Sequence, residues 1–137
     1  MTTDTPAIAA HKKSIAFAMA RDKESWLALF DPDAIVRDPV GKSPHDPEGQ
    51  GFHGLERISA FWDMMIAPLD MIAIPHKRIP TGPNVVAVIM TAANKVNGIK
   101  AYVEMVAVYT VNDAGKLISL NVYWDVDDVA AQMAAGG

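Results

Sequence analysis

The sequence contains no cysteine, which excludes disulfide bridges and thiolate metal ligands. It also lacks a basic run: 12 Lys and Arg residues stand against 16 Asp and Glu residues, for a formal net charge of -4. Nucleic acid is therefore not an expected partner. No apolar stretch is long enough to span a membrane, and the first residues show no targeting pattern. These absences predict a soluble, cytoplasmic protein that does not act at a membrane.

What the sequence has in quantity is apolar side chains, which make up 50% of its 137 residues. A chain of this length and composition can bury one sizeable core but not two. We therefore predict a single domain over residues 1–137.

Three helices are predicted in the first half of the chain, from apolar residues at helical spacing and from capping residues. Thr5 and Pro6 begin the first helix, which runs to about Arg21. The second covers Lys23–Phe30 and the third Gly54–Ala67. Each has an apolar side that must pack against another element.

The second half of the chain has the composition of β-strands, predicted over Met71–Ile74, Val85–Val96, Ile99–Val111 and Leu117–Val126. Asn-Gly after Val96 is typical of a two-residue hairpin turn, and a longer turn separates the last two strands. The last three strands should therefore form an antiparallel meander.

Two segments are predicted to lack regular structure. Pro39–His53 contains too many proline and glycine residues for a helix or a strand and is predicted to be a loop at a rim. The tail Ala130–Gly137 consists mainly of small residues and is predicted to be loosely held.

The hairpin turns set the register of the meander, and side chains alternate between its two faces. If Val96 faces Ile99 and Val111 faces Lys116, one face is almost wholly apolar: Val88, Met90, Ala92, Val103, Met105, Ala107, Tyr109, Ile118, Leu120, Val122 and Trp124. The opposite face is mixed and includes Ile89, Thr91, Tyr102, Glu104, Val106 and Tyr123. We expect the helices on the first face and a homodimer contact on the second, unless a bulge reverses the assignment locally.

One carboxylate follows a short apolar strand. Ala34, Ile35 and Val36 lead to Asp38, and Pro39 ends the strand. A carboxylate at the end of a buried strand is poorly hydrated, which raises its pKa and suits it to proton transfer. Asp38 is therefore a candidate catalytic base, the alternative being an aspartate that only begins a turn.

Three segments carry a family resemblance: Leu27–Gly41 with its Asp-Pro-Val-Gly, Gly54–Trp62, and Asn112–Asp125. Together with the order of elements, they resemble the steroid delta-isomerase and SnoaL-like branch of the nuclear transport factor 2-like proteins. The resemblance implies an α+β fold, a cone-shaped, curved antiparallel sheet packed by three N-terminal helices around a deep apolar pocket. It is less informative about function, because the fold serves isomerases, cyclases, dehydratases, hydrolases and binding proteins.

The resemblance to ketosteroid isomerases implies that Asp38 is the base, but the two enolate donors of those enzymes are missing. The tyrosine of the first helix falls on Ser14, its supporting tyrosine on Trp62, and the neutral aspartate on Ala107. Trp62 is the favoured replacement donor because an indole only donates, with an ordinary core tryptophan as the alternative. Ser14 and Tyr109 are the other candidates.

The pocket wall that the resemblance implies would come from the apolar face of the meander, with Met105, Ala107, Leu120, Val122 and Trp124 as its members. The methionines Met64, Met65, Met90 and Met105 are either core filler or an adaptable apolar wall.

The remaining polar residues give weaker signals. Glu104 should lie at the dimer interface unless a bulge turns it into the pocket, and His11 with Ser14 forms an isolated pair that favours a surface histidine. His45, His53 and His76 show no metal-binding spacing, although His53 could reach the pocket rim. We expect no metal, and no nucleotide or other cofactor.

The sequence therefore predicts a cofactor-free acid/base enzyme acting on a hydrophobic small molecule, most simply a steroid-type double-bond isomerase with Asp38 as the proton shuttle. A lyase, dehydratase or cyclase with a polycyclic or aromatic substrate is the second hypothesis, favoured by the missing enolate donors. A non-catalytic, dimeric ligand-binding module is the third.

Overall fold

The computed structural model describes residues 3–136 and consists of four helices on one six-stranded sheet. Met1, Thr2 and Gly137 lie outside the described residues, so the predicted domain limits 1–137 stay a prediction. The helices are α1 (Pro6–Ala20), α2 (Lys23–Leu27), α3 (Gly54–Phe61), which continues as a π-helical segment (Trp62–Ile66), and α4 (Val126–Gly136). The strands are β1 (Phe30–Arg37), β2 (Phe52–His53), β3 (Asp70–Thr81), β4 (Val85–Val96), β5 (Ile99–Val111) and β6 (Leu117–Tyr123).

The predicted α+β fold is confirmed, but the sheet is mixed rather than wholly antiparallel. Its strand order is β2-β1-β6-β5-β4-β3, in which β1 and β6 run parallel. Parallel neighbours need a long crossover connection, and here the whole chain from the loop through β5 provides it. The meander also has four strands instead of three, because β3 pairs with β4.

The ends of several elements differ from the prediction. The second helix stops at Leu27, because Phe30 already begins β1. Phe52 and His53, predicted as loop, pair with β1 as a two-residue strand. Strand β3 extends to Thr81 although it contains two prolines, since an edge strand with a bulge tolerates residues that cannot donate.

The C-terminal tail is helical, so the prediction of a loosely held tail is wrong for the described residues. Gln132 of α4 accepts a hydrogen bond from the Tyr102 backbone N–H at 2.7 Å and donates one to the Tyr102 carbonyl at 2.8 Å. Tyr102 lies on β5 beyond the point where β6 ends. The side chain of Gln132 therefore replaces the missing strand partner.

The register of the meander explains which face is buried. Val96 faces Ile99 as predicted, but Val111 pairs with Leu117 rather than Lys116, next to a bulge. Beyond the bulge Tyr109 pairs with Leu120, a shift of two residues from the predicted register. A two-residue shift keeps each side chain on its face, so the predicted apolar face is confirmed apart from Ile118, which the bulge turns outward to 39% exposure.

The core lies between this face and the helices. Its largest fully buried side chains are Trp26, Tyr109, Phe61, Ile58 and Leu117. Thr5 caps α1 by accepting from the Ile8 N–H at 3.2 Å, as its position before Pro6 predicted. Among residues 3–136, no helix has both the length and the hydropathy that crossing a membrane requires.

Candidate active site

Asp38 follows the last residue of β1, and Trp124 follows the last residue of β6. Because β1 and β6 are parallel neighbours, with Arg37 opposite Asn121, the residues that follow the two strands lie at the same end of the sheet. The Trp124 indole Nε1 there donates a hydrogen bond of 2.6 Å to Asp38 Oδ1. The strand pairing thus places an indole donor against the predicted catalytic carboxylate.

The Asp38 carboxylate is enclosed by protein, although the residue as a whole is only half-buried. Burial raises the pKa of Asp38 to about 6, against a smaller lowering by the hydrogen bond from Trp124. The pKa of this carboxyl therefore lies close to neutral pH, where a group can both accept and return a proton.

Asp38 lies where two cavities meet. The inner chamber, of about 90 Å³, is lined by residues that include Ser14, Trp26, Tyr109, Leu120 and Val122. The outer chamber, of about 320 Å³, is lined by residues that include His45, Met65, Asn94, Val103 and Trp124. Both share Asp38, Phe61, Ile66, Met71, Ala92 and Met105, so one ligand could reach from the outer chamber to the inner.

The inner chamber contains a short chain of polar groups. Trp26 Nε1 donates to Ser14 Oγ at 3.3 Å, and Ser14 and Tyr109 line the same chamber. Burial and the charge of Asp38 raise the pKa of Tyr109 above its usual value. Tyr109 therefore stays a neutral phenol, able to donate a hydrogen bond.

The ring of a buried histidine, His11, packs against the ring of Tyr109. The ring centroids of His11 and Tyr109 are 4.7 Å apart, and His11 is fully buried. The predicted surface position of His11 is wrong, because α1 turns Ala7, Ala10, His11, Ser14 and Ala18 toward the sheet. Burial, with smaller contributions from Arg78 and Lys12, lowers the pKa of His11 to about 4, so the imidazole is neutral at pH 7.

Trp62, the donor favoured from the sequence, lies apart from this constellation. Its ring is buried and packs against Trp26 with centroids 5.1 Å apart, and it is not among the residues that line either chamber. Ala107 is also fully buried without lining them. The other predicted wall residues, Met105, Leu120, Val122 and Trp124, do line a chamber, as do Met64, Met65 and Met90.

The outer face of the sheet holds Glu104, as alternation predicted. Glu104 is exposed and borders a shallow groove with His76, Thr91 and Tyr123. His53 is exposed and lines neither chamber. Within residues 3–136, no three His, Cys, Asp or Glu side chains are grouped as a metal site requires.

Two polar residues of the outer chamber, His45 and Asn94, were not among the pocket residues predicted from the sequence. His45 belongs to the loop after β1, where Asp46 accepts backbone hydrogen bonds from Gly51 at 2.8 Å and Gln50 at 3.1 Å. No periodic pattern of apolar residues predicts this loop conformation, so the sequence did not indicate that His45 lines the chamber. Asn94 could have been found by extending the inward alternation of β4 beyond Ala92.

A family model described as a SnoaL-like domain matches residues 12–120 of this chain. The chain belongs to the SnoaL-like family. The expectation from its Asp-Pro-Val-Gly strand end and its order of elements is thereby confirmed. Among curated proteins, a sequence search finds no match for it.

Solved structures of the SnoaL-like fold include two mycobacterial proteins with about a third of their residues in common with this chain. The structure of RV0760c from Mycobacterium tuberculosis has 34% identity and a TM-score of 0.89, covering 93% of this chain and 97% of that one. Another structure of RV0760c, at 33% identity and a TM-score of 0.86, is a complex with estradiol-17beta-hemisuccinate and covers 91% and 98%. The Delta 5-3-ketosteroid isomerase of a Mycobacterium species has 33% identity and a TM-score of 0.85, covering 90% and 96%.

Proposed function

We propose that this protein is a cofactor-free acid/base enzyme that isomerises the double bond of a hydrophobic, steroid-like ketone. The observation that carries the proposal is the position of Asp38, a carboxylate with raised pKa at the junction of two apolar chambers. Similarity to a ketosteroid isomerase, and to a protein crystallised with a steroid derivative, supports the substrate class.

In the proposed reaction, the Asp38 carboxylate removes a proton from the carbon between the carbonyl group and the double bond. The electron pair of the broken C–H bond moves onto the carbonyl oxygen, giving an enolate. Asp38 then returns the same proton to the far carbon of the former double bond, so the product is a conjugated enone and the enzyme is restored. No oxidant or reductant takes part.

Tyr109 is the proposed donor to the enolate oxygen, in place of Trp62. It lines the inner chamber with Asp38, and its raised pKa keeps the phenol neutral, so the phenol carries a proton that it can donate to the ligand. Ala107 stands where ketosteroid isomerases have a neutral aspartate, so Tyr109 would be the one remaining donor to the enolate oxygen. We expect turnover slower by roughly 100- to 1,000-fold than with two donors.

The test is the growth of conjugated-enone absorbance when androst-5-ene-3,17-dione is incubated with the wild type and with Asp38→Asn. Turnover should fall by about 100-fold or more in the variant, because an amide cannot accept the proton. Asp33→Asn, at an exposed aspartate of the same strand, is the matched control and should keep wild-type turnover. Equal turnover by the wild type and Asp38→Asn would exclude Asp38 as the base.

A lyase or cyclase acting on a polycyclic substrate is a second candidate, favoured by His45. This histidine lines the outer chamber with Asp38, so two titratable groups face the same cavity. A product formed without any shift of a double bond, and lost in both Asp38→Asn and His45→Gln, would favour this candidate. A ligand that binds and is recovered unchanged would favour a binding module.

We further propose a homodimer through the outer face of the sheet. Ile89, Val106 and Tyr123 form one row across β4, β5 and β6 and are 39% to 48% exposed. Exposed apolar side chains in a contiguous row are typical of an interface. Val106→Glu should shift the mass measured by light scattering from dimer to monomer, whereas Leu55→Glu on α3 should not. A monomeric wild type would overturn the proposal.

A further inference from the structure

One cation on the inward side of the sheet has no counter-ion. Arg78 of β3 is half-buried, and its Nε is buried without a hydrogen-bond partner. Among residues 3–136, no Asp or Glu side chain forms an ion pair with it. A partly buried charge without a partner destabilises a fold rather than supporting it. Its presence at this position therefore calls for an explanation other than stability.

Strand register places Arg78 in line with the position of the missing enolate donor. Arg78 pairs with Val88 of β4, and Val88 pairs with Ala107 of β5. Paired residues point to the same face, and Val88 and Ala107 are both fully buried. Two strand spacings separate the backbones of Arg78 and Ala107 by about 10 Å. The row thus contains an arginine two strands away from the alanine that stands where ketosteroid isomerases have an acidic donor.

Helix α1 covers this part of the sheet. The Ala7 N–H, in the first turn of α1, donates to the carbonyl of Pro83 just beyond the end of β3, at 3.1 Å. Near the other end of the helix, the Ala73 N–H of β3 donates to Met19 Sδ at 3.4 Å. Helix α1 therefore runs antiparallel along β3, and the middle of the helix lies over the middle of the strand.

The middle of α1 contributes His11, whose ring is fully buried and packs on Tyr109 with centroids 4.7 Å apart. The charge of Arg78 acts on both rings. Burial is the main cause of the lowered pKa of His11, and Arg78 lowers it further. Burial and the charge of Asp38 raise the pKa of Tyr109, and Arg78 opposes this rise. Arg78 and the neutral His11 ring thus form the surroundings of Tyr109 on the side of α1 and β3.

We propose that Arg78 is a positioning residue that acts through Tyr109, placing a positive charge beside the phenol that partly compensates for the donor missing at Ala107. The inference rests on the proposed function, in which Tyr109 donates to the enolate oxygen. Arg78 is not among the residues that line either chamber, so it acts through space and without touching the ligand. For a charge at about 10 Å and an effective dielectric constant of about 20, the expected effect is roughly 5- to 15-fold, with solvent around the guanidinium giving the lower end.

The probe is 2-naphthol, whose ionised form carries a negative charge on an oxygen attached to an unsaturated ring, as the enolate does. Every protein in the experiment carries Asp38→Asn, because the enolate coexists with a protonated, uncharged Asp38. The ionised fraction of bound 2-naphthol is measured from its absorbance as a function of pH. Arg78→Met removes the charge but keeps an unbranched side chain, and should lower the ratio of ionised to neutral ligand roughly 5- to 15-fold.

Arg78→Lys keeps the charge and should restore most of this ratio, which a merely structural role of the guanidinium would not predict. Lys77→Met is the matched control, since Lys77 is exposed on the outer face of the same strand and carries the same charge. It should leave the ratio unchanged. Arg78→Gln gives the same test should the methionine variant not fold.

Turnover gives a second measurement, made with Asp38 intact. Arg78→Met should lower kcat for the unconjugated ketone by a similar factor, while the dissociation constant of the uncharged conjugated product stays close to that of the wild type. An ionised ratio that is the same with arginine and methionine at position 78, a loss in Arg78→Lys as large as in Arg78→Met, or no saturable binding of 2-naphthol would each overturn the inference.

The role of Arg78 and the proposed function can fail separately. If the ionised ratio depends on Arg78 while no enone forms from the unconjugated ketone, the charge beside Tyr109 stands and the isomerase assignment fails. If turnover depends on Asp38 while Arg78→Met affects neither turnover nor the ionised ratio, only the role of Arg78 fails.

Discussion

The indole N–H of Trp124 and the carboxylate of Asp38 are joined by a hydrogen bond of 2.6 Å, formed by residues that follow two parallel strands. This contact opposes the effect of burial on Asp38. Burial favours the protonated acid, whereas the indole, which can only donate, favours the carboxylate. Trp124 thus keeps Asp38 partly ionised near neutral pH.

Trp124→Phe should therefore shift the pH dependence of catalysis. In the wild type, kcat/KM for the unconjugated ketone should rise with pH around a midpoint near the pKa of Asp38, about 6, as the base becomes ionised. Without the indole the pKa rises further, so the midpoint should move to higher pH. Trp62→Phe is the control and should leave the midpoint in place. The reverse pattern would assign the contact with the reacting groups to Trp62.

Tyr109→Phe should lower kcat by roughly 100- to 1,000-fold, because it removes the one donor proposed for the enolate oxygen. Binding of the conjugated product should change far less, since the aromatic ring remains. Tyr102→Phe, at an exposed tyrosine of the same strand, should behave as wild type. If Tyr109→Phe retained full activity, the donor would have to be sought in Ser14.

Asp38→Asn should stabilise the protein at high pH. The pKa of Asp38 is about 6 in the folded state, against about 3.9 for an unfolded chain, so the folded protein holds this proton more tightly. The free energy of unfolding therefore falls as pH rises from about 4 to about 6 and remains lower above that range. Asp38→Asn has no carboxyl group that titrates. Its free energy of unfolding relative to the wild type should therefore be higher at pH 8 than at pH 3.5, by on the order of 3 kcal/mol.

Chemical denaturation of the wild type, Asp38→Asn and the control Asp33→Asn at these two pH values measures the difference. A stabilisation of Asp38→Asn that is the same at both pH values would mean that ionisation of Asp38 is not its source.

His11→Leu should protect the protein against acid. His11 is held neutral in the core with a pKa of about 4, whereas in the unfolded chain its pKa is about 6.5. As pH falls from about 6.5 to about 4 the unfolded state gains a proton that the folded state does not accept, so the free energy of unfolding decreases. The leucine variant lacks this loss, which is on the order of 3 kcal/mol.

Urea denaturation at pH 7 and pH 4 tests this expectation, with His53→Gln at an exposed position as the control. If His11→Leu lost stability toward acid as steeply as the wild type, the acid sensitivity would come from other groups.

The sequence by itself determined most of the local structure and indicated Asp38 as the candidate base. Hairpin turns after Val96 and Val111 and the alternation of apolar residues fixed the buried face of the meander, because these signals lie between neighbours in the chain. The break after Asp38 was likewise readable, since Pro39 restricts the residue before it. Beyond the bulge the predicted register was wrong by two residues, since Tyr109 pairs with Leu120, and an error of two residues, the period of a strand, leaves the side chains on their predicted faces.

Tertiary structure alone decided which side chains meet. The contact of Asp38 with Trp124 arises from the parallel pairing of strands that are distant in sequence, and the burial of His11 depends on which side of α1 faces the sheet. The same holds for the tail. The side chain of Gln132 hydrogen-bonds to the backbone N–H and carbonyl of Tyr102, which β6 is too short to pair, and these groups lack a partner only once the sheet has formed. Turns and alternation act over a few residues, whereas pKa values, donors and chamber walls depend on neighbours that only the assembled fold brings together.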